Sequence, residues 1–372
     1  MKTLAIKDIC NKDSSALKQK ELLSEGKYPV YGASGIAGYL DTYNQENEYI
    51  GIVKDGSGIG RVSFYPGNSS LIGTMQYILP KKGYNIRYIG YCLQSLDLSK
   101  YKQGAAIPHI YFRDYGERFV NVTDNEDEQR AIVARLDSAF AQIDALKANA
   151  ERQFAEARKL FQKALEEAMT PKEEWEEKTL KEITLKIGSG ATPKGGKKVY
   201  INKGTALVRS LNVHNGEFKY KDLAYINEEA AEQLNGVELK INDVLFNITG
   251  ASIARCCVIP DDVLPARVNQ HVSILRPRRE LVIPKFLCLG LLSSNHQEAL
   301  LSIGMAGSTR QAVTKADLEK HHFPLPSLEV QHSIVAHLDS LSSHVRALEE
   351  NLKKTLAECD ALKQAMLREV FE

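Results

Sequence analysis

The sequence contains no apolar run approaching the roughly 18 residues that a membrane-crossing helix needs, and its opening, MKTLAIKDIC, has no signal-type hydrophobic stretch. The chain therefore reads as cytoplasmic, with no membrane partner. Cysteine is sparse, and the six residues (Cys10, Cys92, Cys256, Cys257, Cys288 and Cys359) show no C-x-x-C spacing. That excludes a zinc motif or a disulfide framework and predicts reduced, buried thiols. Signatures of catalysis are missing as well. In GSGATPKGGKK (188–198), Gly190 and Gly195 have phosphate-loop spacing, but Gly196 stands where the pattern requires Lys. No acidic-x-Lys strand follows Pro260-Asp261, as a nuclease of that type would need. There is no Asn-Pro-Pro or Asp-Pro-Pro tetrad for amino-methyl transfer and no Gly-rich cofactor loop after a strand. The histidines, His109, His214, His271, His296, His321 and His322 among them, lack a paired carboxylate or metal-ligand spacing; His109 and His271 lie in apolar runs and read as core or rim residues. The expectation is a chain that catalyses nothing and holds no metal or cofactor of its own.

What is present is a repeat. QRAIVARLDSAFAQIDALKAN begins at Gln129 and QHSIVAHLDSLSSHVRALEEN begins 202 positions later at Gln331, with ten identities in 21 gapless positions. A period this long is far outside the solenoid range, so each copy is read as a helix attached to a whole globular domain. The expected division is 1–123 (domain), 124–170 (helix), 171–326 (domain) and 327–372 (helix). Leu136, Ile143, Ala150, Ala157 and Ala164 recur every seven residues, with Ile132, Ala139, Leu146 and Leu160 as the complementary set. The second copy has Leu338, Val345, Leu352, Cys359 and Met366 with Ile334, Leu341, Leu348 and Leu362. These spacings predict two coiled-coil seams, read as pairing antiparallel with each other.

The domains read as α+β. YPVYG, EYIGIV, GRVSFY and QYILP, then a helical stretch from Arg87 to Leu98, are matched in style by TALVRSLNV, DVLFNITG, ARCCVI and HVSILRP. A twisted, mostly antiparallel sheet is expected in each. The net charge of +1 hides a partition: +3 over 1–125, −4 over 126–180, +5 over 181–328 and −3 over 329–372. Basic domains on acidic helices fit a nucleic-acid reader whose helices face protein. Candidate DNA contacts are Lys27, Tyr31, Lys54, Ser57, Arg61 and Lys102 in the first domain. In the second they are Lys194, Lys197, Lys198, Arg209, Asn212, Asn215, Arg255, Asn269, Gln270, Arg310 and Gln311. Arg, Asn and Gln match guanine and adenine edges, whereas Lys mainly neutralises phosphate.

KYPVYGASGIAGYLDTYN followed by EYIGIVKDGSGIGRV resembles one opening of the target recognition domains in specificity subunits of type I restriction–modification systems. KIGSGATPKGG with ALVRSLNV resembles another, and GMAGSTRQAVTKADLEKHHFPLPSLEVQ resembles that family's passage from a recognition domain into a long helix. The resemblance implies a single-chain reader of double-stranded DNA, with two recognition domains for the two halves of an asymmetric, interrupted site and helices that set the gap. It further implies two modification (methyltransferase) subunits carrying S-adenosylmethionine, and ATP- and Mg-dependent restriction (translocase/nuclease) subunits. Two other readings compete: a protein-interaction scaffold without nucleic acid, and a self-sufficient methyltransferase, the latter disfavoured by the missing motifs.

Overall fold

A computed structural model describes residues 1–104, 108–305 and 312–372. The chain divides into two compact units, Met1–Arg152 with Asn351–Glu372, and Gln153–Glu350. Both are α+β, and each repeats the other's plan.

In the first unit an antiparallel sheet runs in the order Cys10–Ser14, Met75–Pro80, Tyr49–Val53, Val62–Tyr65. The run YIGIV is buried at all five positions because both faces of the sheet are covered. Ile50 and Ile52 join the core beneath helix Ile86–Ser95, while Tyr49 and Val53 pack with Leu71, Met75 and Tyr77 on the other side. The second unit has the same order in Thr184–Ser189, Val272–Pro277, Val244–Asn247, Cys256–Val258, with helix Pro284–Leu291 over Phe246, Cys256 and Leu275. Each unit also contains a second sheet, of three strands in the first unit and four in the second. Tyr28–Gly32 pairs in parallel with Ser70–Leu71, and Thr205–Val208 in parallel with Ala266–Val268. These are the parallel pairings among otherwise antiparallel strand pairs, in keeping with the mostly antiparallel sheets expected. All six cysteines are free and buried.

The two long helices are Glu126–Met169 and Leu328–Phe371. Asn125 caps the first, its Oδ1 accepting from the backbone N–H groups of Asp127 (2.9 Å) and Glu128 (3.3 Å), and Glu126, Asp127 and Glu128 place negative charge at the positive end of the helix dipole. Within the first unit, Lys147 Nζ reaches Asp360 (2.8 Å) and Lys363 Nζ reaches Asp144 (2.6 Å). As one number rises the other falls, so the two segments run antiparallel there, with Ala150 facing Ala357 by the same register.

The repeated residues of the two helices do the same work twice. Gln129 is fully buried; its Oε1 accepts from Asn85 N (2.6 Å) and its Nε2 donates to Gly83 O (2.9 Å) and Thr123 O (3.0 Å). Gln331 accepts from Ile283 N (2.8 Å) and donates to Leu281 O (2.8 Å) and Pro326 O (2.9 Å). Each glutamine thus satisfies the entry to the sheet-covering helix and the strand end before its own helix. Asp137 takes Arg87 (3.0 Å), and its counterpart Asp339 takes Lys285 (3.3 Å).

The seam differs from expectation in one respect. Leu136, Ile143 and Leu338 are buried and Val345 and Leu352 are half-buried, but Leu146, Leu160, Leu348 and Leu362 are 55, 67, 37 and 51 % exposed. Of the expected complementary set Ile132, Ala139, Ile334 and Leu341 are half-buried, but elsewhere the complementary positions lie four residues after the heptad residue instead of three: Phe140, Lys147, Phe154 and Phe161 in one helix, Leu356, Lys363 and Val370 in the other, all half-buried or buried. Lysine can occupy a seam because its methylene stem is apolar while its ammonium reaches the edge; Lys363 lies over the Phe140 ring at 5.2 Å on its way to Asp144.

Candidate nucleic-acid interface

In both units the loop leaving the third strand of the main sheet is built on one plan. Lys54-Asp55-Gly56-Ser57-Gly58-Ile59-Gly60-Arg61 and Ile248-Thr249-Gly250-Ala251-Ser252-Ile253-Ala254-Arg255 match at a constant offset of 194. Gly60 N donates to Val53 O (2.8 Å), Val53 N to Arg61 O (3.1 Å) and Arg61 N to Gly58 O (3.1 Å). Ala254 N donates to Asn247 O (2.9 Å), Asn247 N to Arg255 O (2.8 Å) and Arg255 N to Ser252 O (3.2 Å). Gly56 and Gly250 are both left-handed (φ 81° and 69°), a conformation that glycine adopts without a Cβ clash. Arg61 and Arg255, both expected DNA contacts, therefore hold equivalent places. The loop duplication is readable in the sequence as three identities in eight positions, and reasoning from strands and charges alone passes over it.

Around the first loop gather Lys54, Asp55, His109, Ile110, Tyr111 and Arg113, lining a cleft of about 640 Å³ with Lys12, Ser14, Gln76 and Phe112. Lys54 is ion-paired with Asp55, and Asp55 Oδ1 lies 2.6 Å from His109 Nδ1. This corrects the reading that no histidine has a carboxylate partner. The partners are 54 residues apart in sequence, and the backbone bridge between Asp55 and His109 brings them together. Ser57, Arg61 and Lys102 are exposed nearby in the chain, while Tyr31 packs its ring on Tyr65 (4.9 Å). Lys27 immediately precedes strand Tyr28–Gly32 and lies over the Tyr28 ring at 5.1 Å, and its bond to that hydroxyl raises its pKa.

Around the second loop Ser210, Leu211, Thr249, Gly250, Arg255 and His271 line a cleft of about 460 Å³. The preceding segment closes on it. Gly190 N donates to Asn269 O (3.2 Å), and a Cβ at Gly190 would stand 1.7 Å from Val268 O, so only glycine allows this approach. Asn269 Oδ1 accepts from His271 N (3.1 Å), and exposed Gln270 accepts from the Thr192 hydroxyl (2.5 Å). Lys194, Lys198 and Asn215 are exposed.

Two expected contacts are occupied otherwise. Asn212 is fully buried: Oδ1 accepts from Arg209 N (3.1 Å) and Nδ2 donates to Lys219 O (2.9 Å) and Lys221 O (3.3 Å), so its amide braces the loop and reaches no ligand. Arg209 is half-buried and donates to Asp222 O. Arg310 and Gln311 lie outside the described residues, as does the Lys197 side chain.

Among the described residues no group of three His, Cys, Asp or Glu could hold a metal ion, and no helix is long and apolar enough to cross a membrane. The family model for the type I restriction modification DNA specificity domain matches residues 1–153 and again 172–358. The chain is 26 % identical over 268 residues to the type I restriction enzyme EcoBI specificity subunit of Escherichia coli, covering 66 % of this chain and 56 % of that protein. It is 22 % identical over 267 residues to the EcoKI specificity subunit of E. coli K12, covering 66 % and 55 %. The matches thus span little more than half the length of those relatives. Among solved structures, a chain from a study of complex assembly and conformational transition of the type I R-M system superposes with a TM-score of 0.73 at 17 % identity, over 99 % of this chain and 96 % of that one. The HsdS subunit from Thermoanaerobacter tengcongensis gives 0.53 at 18 %, over 99 % and 95 %. With the family model matched twice, once across each of two units of the same plan, the chain belongs to the specificity subunits of type I restriction–modification systems.

Proposed function

We propose that this chain reads a bipartite, asymmetric site in duplex DNA, one half with each unit, and is itself non-catalytic. The two long helices set the distance between the halves and dock two methyltransferase subunits. Those partners carry S-adenosylmethionine, and restriction subunits with ATP and Mg complete the nuclease. The observation that carries the reading is the loop made twice, with the exposed Arg61 and its counterpart Arg255 at matching positions of the frame and Arg255 lining the cleft of its unit. Equal frames with unequal side chains (Asp55 against Thr249, Ser57 against Ala251) suit two different half-sites. In this reading Arg255, Gln270, Arg310 and Gln311 face base edges and Lys194, Lys197 and Lys198 face phosphates. The test is binding of the complex with its methyltransferase subunits to duplexes randomised through both half-sites, across salt concentrations. Arg255→Ala is expected to cost about 1–3 kcal/mol at one position of one half-site only. Lys198→Ala should weaken all sequences alike and lower the salt slope by about 0.9, the value for one phosphate contact. Binding without salt dependence would favour the scaffold reading instead.

A further inference from the structure

The duplicated loop holds an imidazole in both units, by the same ring nitrogen and at the same loop position. Asp55 Oδ1 is 2.6 Å from His109 Nδ1, and Thr249 Oγ1 is 2.6 Å from His271 Nδ1. The two histidines are not counterparts. His109 follows the sheet-covering helix and pairs its backbone with Asp55, the place that Ala312 takes beside Thr249. His271 instead opens the strand Val272–Pro277. Duplication would reproduce a contact from matching positions; one that recurs from non-matching positions needs another cause. Both rings are half-buried and line the clefts beside the loops.

We propose that these two histidines belong to the sequence-reading surface, His109 by presenting its outer nitrogen to a base and His271 by positioning Gln270. The inference rests on the DNA-reading assignment above. An ionised Asp55 can only accept, so Nδ1 of a neutral His109 carries the proton and Nε2 keeps its lone pair. The ring is stacked on Tyr111 (centroids 6.3 Å apart, 24° between planes), and the Arg113 guanidinium covers Tyr111 at 4.7 Å, so the imidazole is held against rotation. In the second unit Gln270 Nε2 lies 3.1 Å from His271 Nε2. An amide NH2 only donates, so that ring has the same tautomer, its Nδ1–H donating to Thr249. His271 thereby fixes Gln270, whose other end is held by Thr192. An acceptor at His109 Nε2 selects a base that offers a donor in the major groove, the exocyclic amine of adenine or cytosine; guanine and thymine present oxygen acceptors there.

The two roles of the ring separate with asparagine, whose amide nitrogen takes the place of Nδ1 and keeps the tether while removing Nε2. In the assembled complex, selection from a library randomised through both half-sites should show His109→Asn losing about tenfold of its discrimination between amino and oxo bases at one position of one half-site, with an unchanged melting midpoint. His109→Gln, which restores an acceptor near the Nε2 position, should recover part of it. His271→Asn should relax the other half-site alone. If wild type selects a sequence and His109→Asn selects the same one with equal stringency, or weakens all positions alike, the inference is wrong while the DNA-reading assignment stands. If wild type shows no sequence preference, both fall.

Discussion

Replacing Gln331 by leucine is a test of what the repeated glutamine contributes. The substitution keeps the side-chain volume roughly constant but orphans the Ile283 amide and the Leu281 and Pro326 carbonyls, all bonded at 2.8–2.9 Å to a residue with no exposed surface. Each buried polar group left unsatisfied costs about 1–3 kcal/mol, and a carbonyl with a second lone pair stands at the low end. Three such groups place the loss at about 3–6 kcal/mol, a large part of the stability of a domain of this size. Trp175, the chain's single tryptophan, packs beside Phe286 in the second-unit core (6.3 Å between rings) and so reports on that unit alone. Urea unfolding followed by its fluorescence should show the loss for Gln331→Leu and little change for Gln129→Leu; backbone circular dichroism should reveal the latter. Gln331→Ala, which adds a cavity, should be at least as damaging. A midpoint shift for Gln331→Leu equivalent to less than about 1 kcal/mol would refute the claim that these bonds hold the helix entries in place.

The seam assignment predicts that Ile143→Ala costs about 2–4 kcal/mol, whereas Leu146→Lys and Leu362→Glu shift stability by less than about 0.5 kcal/mol; chemical denaturation of each variant decides. In the second unit His296 Nδ1 and His321 Nε2 are 2.8 Å apart, and burial lowers both pKa values, that of His321 to about 4. The unfolded chain therefore binds more protons between pH 6.5 and 4, so stability should fall by about 2 kcal/mol as the pH drops through that window. His321→Gln should flatten that part of the Trp175 unfolding profile. Inserting one heptad after Ala150 and another after Leu356, which face each other in the antiparallel register, keeps the helical phase within about 20° and adds roughly 10 Å, or about three base pairs. Methylation mapping should show a longer gap between half-sites, and an unchanged gap in a folded, assembled complex would exclude the helices as the spacer.

The duplication was legible because its ten identities in 21 positions include pairs that do a defined job in both helices, Gln129 and Gln331 above all, with Leu136 and Leu338 and Asp137 and Asp339. The heptad position Leu136–Ile143–Ala150 was legible for the same reason: apolar size recurs. Its complement was legible only in part, at Ile132, Ile334 and Leu341, because exposed leucines are more conspicuous in a sequence than the lysine stems that fill the rest of the seam. At the interface, charge and residue type pointed to Arg61 and Arg255 but also to Asn212, which has the chemistry of a base contact and the burial of a brace. Only coordinates separate those roles. The imidazoles could not be found from spacing, since 54 and 22 residues separate each from its loop partner.

The twice-built loop also bears on how such a chain can change. Its frame is held by main-chain hydrogen bonds that make no demand on the side chains at Asp55, Ser57, Thr249 or Ala251. Point changes at these positions alter what is displayed while leaving the support intact. Because the hydrogen-bond frames match, Asp55–Gly56 carried into positions 249–250 meets an equivalent support, with a left-handed glycine at the second place in both. In the proposed DNA-reading role, new preferences are then reachable by single codon changes or by exchange of such short segments between the two halves of one gene.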